Sequence, residues 1–498
     1  MKALFLPLDE RPCNYLYPQW VPIDDVELLL PPRKILPQQK KIGDVDAIGR
    51  WVRDNCDDVD YVLISLDMLL YSGIVPSRLH HDSVEEIEKR LEVLHEVKKR
   101  NPRAKIFVHS LIMRTPSYNL ATEEPDYVGE CGLNLYIEGV YLDKEKQGLL
   151  TEEDKAAREE NRKKFKQEYL DDLMTRRKTN KEVILKALQY YIDGTIDFFL
   201  IPQDDCAPFG FTSMDRREIV QFLKENHIDD KVVMHPGADE AGLTLLARAI
   251  NDSRGKFPKF YVAYNCDESK NGIPEFESQR LDITMTSQIE STLSKRVDSW
   301  EEADVILVVS AGKNFMNCHL PEWPDSFAGR DIPRAIGYIE KAIHEGKVVA
   351  VADLTYCNRG DIDLYDAIVK NDFLFEISSY AGWNTSSNTL GTTIANAVGY
   401  FHSHDDEKKN VCLAHRYIED ILYMAKVRDE LNAKVESHPD WKISIHALDG
   451  MKNMLQEYAK ERLTALSYGT GLLNDVPGKK IDVRFIWNRT FEAEVTFK

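Results

Sequence analysis

The feature that most constrains this chain is a short apolar run that recurs along it and stops each time at a polar cluster. Residues 3–8 end at Asp9-Glu10-Arg11, residues 61–66 at Asp67, residues 105–113 at Arg114 and residues 196–202 at Gln203-Asp204-Asp205. Residues 232–234 run into His235, with Asp239-Glu240 close behind, and residues 260–264 end at Asn265-Cys266-Asp267. Residues 305–309 end at Ser310-Ala311-Gly312 and residues 348–352 at Asp353; a ninth run, 373–377, leads to Gly382-Trp383-Asn384. Runs that are apolar throughout, rather than alternating, suit strands buried on both faces.

Helical periods separate the runs. Ser83, with Glu86 three residues on, has the form of a capping box, and Val84, Ile87, Leu91, Leu94 and Val97 follow at helical spacing. The charged segment 151–191 reads as one or two long helices stopped at Gly194, and 241–250, 283–297 and 389–402 also read as helical. Strands alternating with helices predict parallel βαβ units and an α/β fold. Its largely parallel sheet is either open or closed into a (β/α)8-like barrel, and in both forms ligands bind beyond the carboxyl ends of the strands. From about Asp405 the rhythm changes to helices (417–433 and 448–466) and a closing strand pair (481–486 and 492–497) around Trp487-Asn488-Arg489. This predicts an α/β catalytic domain over residues 1–404 and a smaller α+β part over 405–498 packed on it, with Arg484 or Arg489 reaching back toward the main domain.

Charge and length narrow the function classes. At 498 residues the chain exceeds one ordinary core. Its 64 basic and 83 acidic residues leave a formal charge of −19, a field that disfavours nucleic acid and anionic membranes as partners. The first apolar run is too short and too soon followed by charge for a signal peptide, and no window approaches the length of a bilayer. Eight cysteines without a CxxC pair read as reduced thiols in a cytoplasmic protein. Neither a metal nor a cofactor is expected, the partner expected is a small molecule, and nothing bears on the oligomeric state.

Gln203-Asp204-Asp205 is the sharpest chemical signal. Two adjacent carboxylates at a strand end push their pKa values apart, so that one stays anionic while the other keeps its proton. A hydrolase needs that division between an orienting base and a general acid. The plain alternative is one helix cap and one solvated aspartate. Asp9, Glu10, Arg11 and Asn14 could hold hydroxyls or a phosphate, or form a salt-bridged turn. Gly73 and Pro76 aim Arg78 at the same edge as Asp67, and Pro116 stops any helix just after Arg114, so both arginines could clamp an anion or a hydroxyl. His235 and Asp239 are possible ligand contacts, whereas Glu240 reads as a first-turn complement to a helix dipole. Asp353, Asn358 and Asp361 again follow a strand. In the segment 380–391, Trp383 could stack on a sugar ring while Asn384 and Asn388 hydrogen-bond its hydroxyls. Alternatively, Asn388 caps a helix beginning at Thr389. No GxSxG elbow, phosphate loop or HExxH is present.

Taken together, Leu6-Pro7-Leu8-Asp9-Glu10-Arg11-Pro12, Ser65-Leu66-Asp67 with Pro76-Ser77-Arg78, Gln203-Asp204-Asp205, Gly237-Ala238-Asp239-Glu240, Ala381-Gly382-Trp383-Asn384-Thr385 with Asn388-Thr389-Leu390-Gly391, and Trp487-Asn488-Arg489-Thr490-Phe491-Glu492 resemble domain-of-unknown-function family 4127 over essentially the whole chain. That resemblance implies no activity. A second one rests on the aspartate pair and a strand count of four. It is similar to the adjacent aspartates after the fourth barrel strand of O-GlcNAcase-type hexosaminidases, which implies that Asp204 orients an acetamido group and Asp205 is the acid/base.

The expected function is a glycoside hydrolase acting on a small glycoside, N-acetylated in one version. Asp204 and Asp205 are the catalytic pair, and Asp9, Glu10, Arg11, Asn14, Asp67, Arg78, Arg114, His235, Asp239, Asp353, Trp383, Asn384, Asn388 and Arg489 are the substrate contacts. The alternatives are a metal-dependent hydrolase or lyase using Asp9, His235, Asp239 and Asp353, and a non-catalytic protein that binds a sugar or an anion.

Overall fold

The apolar runs become strands of two parallel sheets rather than one. In the computed structural model, residues 1–313, 329–440, 443–474, 476, 478 and 480–497 are described. The first sheet contains β1 (Lys2–Leu6), β2 (Glu27–Leu29), β3 (Tyr61–Ser65), β4 (Lys105–His109), β5 (Phe198–Gln203) and β6 (Val233–Pro236). Their spatial order is β2-β1-β3-β4-β5-β6, and every pairing is parallel. The second contains β7 (Lys259–Tyr264), β8 (Lys295–Arg296), β9 (Val305–Ser310), β10 (Val348–Asp353) and β11 (Ser379–Ala381), in the order β8-β7-β9-β10-β11, again all parallel.

Among the described residues no pairing joins the outer strands of either sheet, so both are open and the barrel alternative is not realised. Both sheets follow one plan. The first strand lies between the second and third, and later strands add on one side only, which is a doubly wound order. The sequence carries no visible repeat, so the two sheets share topology without sharing an obvious residue pattern.

Burial explains which strands were legible. β3, β5, β9 and β10 are buried along their whole length, as continuous apolar runs require. β2 and β8 form outer strands of only three and two residues, half-exposed, and leave no apolar run to read. The ninth run, 373–377, is a turn in which the N–H groups of Glu376 and Ile377 both donate to the Phe373 carbonyl; β11 begins after it. The helix expected over 283–297 is Leu281–Ser291, because Leu293 turns into the left-handed region (φ 64) and the chain re-extends as β8.

The Ser83–Glu86 capping box forms, with Ser83 N–H donating to Glu86 at 2.8 Å. The charged segment forms two helices, Glu152–Arg162 and Gln167–Ile192, the first opened by a second capping box at Thr151 and Asp154. The helix Val128–Lys146 was not expected; it lets Gly139 sit against the ring of Phe211.

The chain packs as two compact units. One comprises Met1–Glu10, Val26–Leu245 and Phe276–Gln279; the other comprises Arg11–Asp25, Leu246–Glu275 and Arg280–Lys498. Residues 405–498 therefore lie in the second unit together with 280–404. His404, at φ 51, ends the helix Ser386–Ser403, and the chain restarts as Asp406–Arg416. The following segment is an 11-residue π-helix, Tyr417–Val427, succeeded by the α-helix Arg428–Glu436. The expected closing pair forms as β12 (Ile481–Phe485) and β13 (Ala493–Phe497), antiparallel with Val483 opposite Val495. Every described cysteine is a buried free thiol, and Cys318 lies outside the described residues. No described helix is long and apolar enough to cross a membrane.

Two glycines separate helix propensity from packing. A Cβ on Gly139 would meet the Phe211 ring at 2.6 Å, whereas one on the exposed Gly337, in the helix Ile332–His344, meets nothing within 4 Å. Gly337→Ala should stabilise by up to about 1 kcal/mol through propensity alone. Gly139→Ala should destabilise by about 1–3 kcal/mol, because overpacking outweighs the same gain. Thermal unfolding of both variants checks the opposite signs, and stabilisation by Gly139→Ala would contradict the packing.

Candidate functional site

At the carboxyl edge of the first sheet the strand ends are joined by a lattice of charge. Ser65, the last residue of β3, accepts the Met68 N–H and caps the helix Leu66–Tyr71, placing Asp67 in its first turn. Asp67 Oδ2 then accepts the Leu111 N–H at 3.0 Å, tying the end of β3 to the segment after β4. Gly73, at φ 122, opens the short helix Ile74–Ser77, whose last cap is Arg78. The Arg78 guanidinium donates to Asp204 Oδ2 at 2.7 Å and to Glu123 at 3.1 Å, and lies 3.3 Å from Glu124.

Arg114, after β4, donates to Glu124 at 2.8 Å, to Glu123 at 3.2 Å and to Asp205 Oδ2 at 2.8 Å. Its carbonyl accepts from Arg177 at 3.0 Å, and Arg177 is itself buried against Asp215 at 2.7 Å. Two guanidinium groups thus hold four carboxylates, and both glutamates bridge the two arginines. The predicted residues Asp67, Arg78, Arg114, Asp204 and Asp205 come together here. Both arginines were read as clamps for an anion or a hydroxyl; in the structure they pair with carboxylates of the same unit.

Glu123 and Glu124 were not anticipated. They sit in a loop, away from any strand end, so a search confined to strand ends passes over them. Tyr118 was also missed; it lies near enough to Arg114 and Asp205 for both charges to act on its hydroxyl. The only sequence signal was the adjacent pair of acids ahead of Pro125-Asp126.

Burial dominates the electrostatics. It pushes the Asp67 carboxyl up to about 7, with Asp204 adding to the rise and the Leu111 N–H opposing it. It pushes Asp205 up to about 6, against the pull of Arg114 and with the push of Asp204. With Asp67 counted, five carboxyls face two guanidiniums, and protons on Asp67 and Asp205 relieve part of that excess. Access differs sharply: the Asp204 side chain is 6% exposed and that of Arg78 2%, while that of Asp205 is 21% exposed. Asp205 is also held at φ 26, a backbone region that non-glycine residues occupy at a cost.

A family model described as "Protein of unknown function (DUF4127)" matches residues 3–496. The chain belongs to this family. No curated protein and no solved structure matches it significantly. The hexosaminidase comparison loses its premise: with β2 counted, the aspartate pair of this DUF4127 chain follows the fifth strand, in an open sheet.

The other expected residues of the first unit are buried. Asp9 follows β1, and Glu10 accepts the Gln39 N–H at 3.0 Å. His235, in β6, is fully buried; its Nδ1 donates to the Pro236 carbonyl at 2.8 Å, and burial pushes its pKa down to about 4, so it stays neutral. Gly237, at φ 135, lets Glu240 fold back to accept the Ala238 N–H at 2.9 Å, and Asp239 is buried beside it.

The remaining expected residues belong to the second unit. Arg11 caps the short helix Pro12–Tyr15, which carries the buried Asn14, and the Arg11 guanidinium lies 4.9 Å from the Trp487 ring centroid. Arg489 lies 4.6 Å from the same centroid and pairs with Glu492 at 2.7 Å. Asp353, at the end of β10, accepts from the Tyr380 hydroxyl at 2.8 Å and from the Asp361 and Thr355 N–H groups; burial pushes its pKa up to about 7. Asp361 caps the helix Ile362–Lys370 and pairs with Arg330 at 2.6 Å.

Trp383 is 6% exposed and meets Tyr17 edge-on, so its face is not an open platform for a sugar. Asn384 (φ 67) turns its side chain onto the Thr385 N–H, and the helix opens at Ser386 rather than Thr389, which puts the buried Asn388 inside it. Among the described residues no three His, Cys, Asp or Glu side chains converge as a metal site.

Because burial raises Asp67, the folded chain keeps a proton that the unfolded chain loses near pH 4. Stability from this group is full at low pH and falls as pH rises toward 7. Asp67→Asn should remove that slope, so the variant gains on the parent by up to about 1.4 kcal/mol per pH unit across the window. Urea unfolding at pH 5 and pH 8 checks this; a constant difference would contradict it.

Proposed function

We propose that this protein is an acid–base hydrolase that cleaves a small neutral glycoside at the carboxyl edge of its first sheet. Asp205 is the general acid/base, and Asp204, fixed by Arg78, is the orienting carboxylate. The observation that carries the reading is Asp205 itself: it is the most exposed of the catalytic pair, its pKa is raised to about 6, and Arg114 holds it at 2.8 Å. A general acid works best when its pKa lies near the working pH, because it must hold the proton and still release it. In the proposed step Asp205 gives its proton to the glycosidic oxygen as the bond to the anomeric carbon breaks, and water adds at that carbon, with its surplus proton returning to Asp205.

Charge supports a neutral substrate. Five carboxyls against two guanidiniums repel phosphate and carboxylate groups and leave acceptors for sugar hydroxyls. A ligand that must satisfy Arg78 or Arg114 would have to break buried ion pairs, which disfavours the anion-binding alternative. Exclusively free thiols among the described cysteines support a reducing compartment, the cytoplasm, as the place of reaction.

A panel of nitrophenyl glycosides, read with and without Asp205→Asn, tests the proposal. The parent protein should turn over at least one member, with kcat/KM falling as pH rises through about 6, where Asp205 loses its proton. Asp205→Asn should lower kcat by about 10²–10⁴ on nitrophenyl substrates, and by less on dinitrophenyl substrates, whose leaving groups need little protonation. Undiminished turnover in Asp205→Asn would refute the assignment. Sugar binding without turnover of any member by the parent would point to a binding protein instead.

A further inference from the structure

The second unit holds a buried polar pocket that the proposed reaction does not use. Its wall is the π-helix Tyr417–Val427, a form that is rare beyond a single turn and recurs at functional sites. Arg416, just before it, pairs with Asp420 at 3.0 Å and also with Glu419 Oε2. The Tyr17 hydroxyl donates to the same Glu419 oxygen at 2.7 Å, and Asp420 accepts the Gly382 N–H at 2.9 Å. Trp383 packs edge-on against Tyr17, with ring centroids 6.4 Å apart.

Two buried atoms of this assembly lack partners: the Trp383 Nε1 donor and the Glu419 Oε1 acceptor. The Val495 N–H acts on the Glu419 carboxyl from β13, but no hydrogen bond of normal geometry reaches Oε1. Trp383 and Glu419 line one small pocket, with Cys13, Tyr17 and Glu492 as its other polar walls and about 10 Å3 of space for water.

We infer that this cavity is a binding site for a single water molecule, which accepts from Trp383 Nε1–H and donates to Glu419 Oε1. The two orphan groups dictate the chemistry of the occupant. It must accept one hydrogen bond and donate another. A metal cation or ammonium cannot accept, a halide cannot donate, and about 10 Å3 is the space of one water. Satisfying both atoms removes the cost of burying them unpaired. It also gives Glu419 a further donor beside Tyr17 and Arg416, which favours its ionised form against the burial that pushes it up to about 7.

A crystal structure of the full chain at water-resolving resolution tests the site. The expected result is a density peak within about 3.2 Å of both Trp383 Nε1 and Glu419 Oε1, lost in Trp383→Phe. Crystals soaked in a thallium(I) salt should show no anomalous signal at this position. A direct Trp383–Glu419 hydrogen bond with no peak between them would overturn the inference, as would a thallium signal there. If Trp383→Phe does not fold, the density of the parent protein and its thallium soak still decide the question.

Discussion

Two guanidinium groups shared among four carboxylates hold the carboxyl edge of the first sheet together. Arg78 follows β3, Arg114 follows β4, Glu123 and Glu124 lie in the loop beyond β4, and Asp204 and Asp205 end β5. The lattice therefore fixes three strand ends and one long loop with respect to each other. None of these charges is cheap to bury alone, and removing one partner of such a set strands the rest, at a cost of about 3–5 kcal/mol. The surplus of carboxyls has a chemical consequence: it is relieved by protons, and those settle where burial raises the pKa, on Asp67 and Asp205. The crowded acidic edge thus leaves one partly exposed carboxyl, Asp205, with a raised pKa.

The second sheet repeats the strand order of the first but spends its strand-end polarity differently. Asn265, after β7, donates to Ser310 at the end of β9 and accepts the Ala311 N–H. Asp353 is consumed by Tyr380 and two backbone N–H groups, and Gly360 and Gly382 permit that closure: a Cβ on either would meet the Tyr380 hydroxyl at 2.6 or 2.8 Å. These groups stitch loops to the sheet; Asp267, the accessible carboxyl after β7, is pulled below the usual carboxylate range by hydrogen bonds to Lys270 and Arg334, the opposite of Asp205. A polar residue at a strand end is therefore placed where ligands bind in such folds, but only its partners and exposure decide whether it meets one.

That distinction marks how far the sequence could be read. Eight apolar runs named eight real strands, because burial on both faces writes itself into composition; the short outer strands β2 and β8 and the weakly patterned helix Val128–Lys146 write nothing comparable. Missing β2 moved the strand count by one and lent weight to a barrel enzyme that the open sheet does not resemble. The division into two sheets was hidden for a related reason: each strand fits either sheet equally well by composition, and pairing is a long-range property. At the site, Asp67, Arg78, Arg114, Asp204 and Asp205 were legible as strand-end or loop-end charges. Their pairing with Glu123 and Glu124 was not, since a loop carboxylate carries no periodic signal. Trp383 shows the reverse error: an aromatic in a loop rich in amides and hydroxyls looked like a sugar platform, yet its ring is buried against Tyr17.

The central claim is that the lattice keeps Asp205 as a solvent-reachable carboxyl that titrates within the working range. The most direct measurement is the carboxyl carbon resonance of Asp205, followed by pH titration of protein labelled with ¹³C at the aspartate side chains and assigned through Asp205→Asn. The account predicts a midpoint near 6. A midpoint at or below about 4, the ordinary value for a solvated aspartate, would mean that Arg114 overrides burial and that Asp205 holds no proton to give.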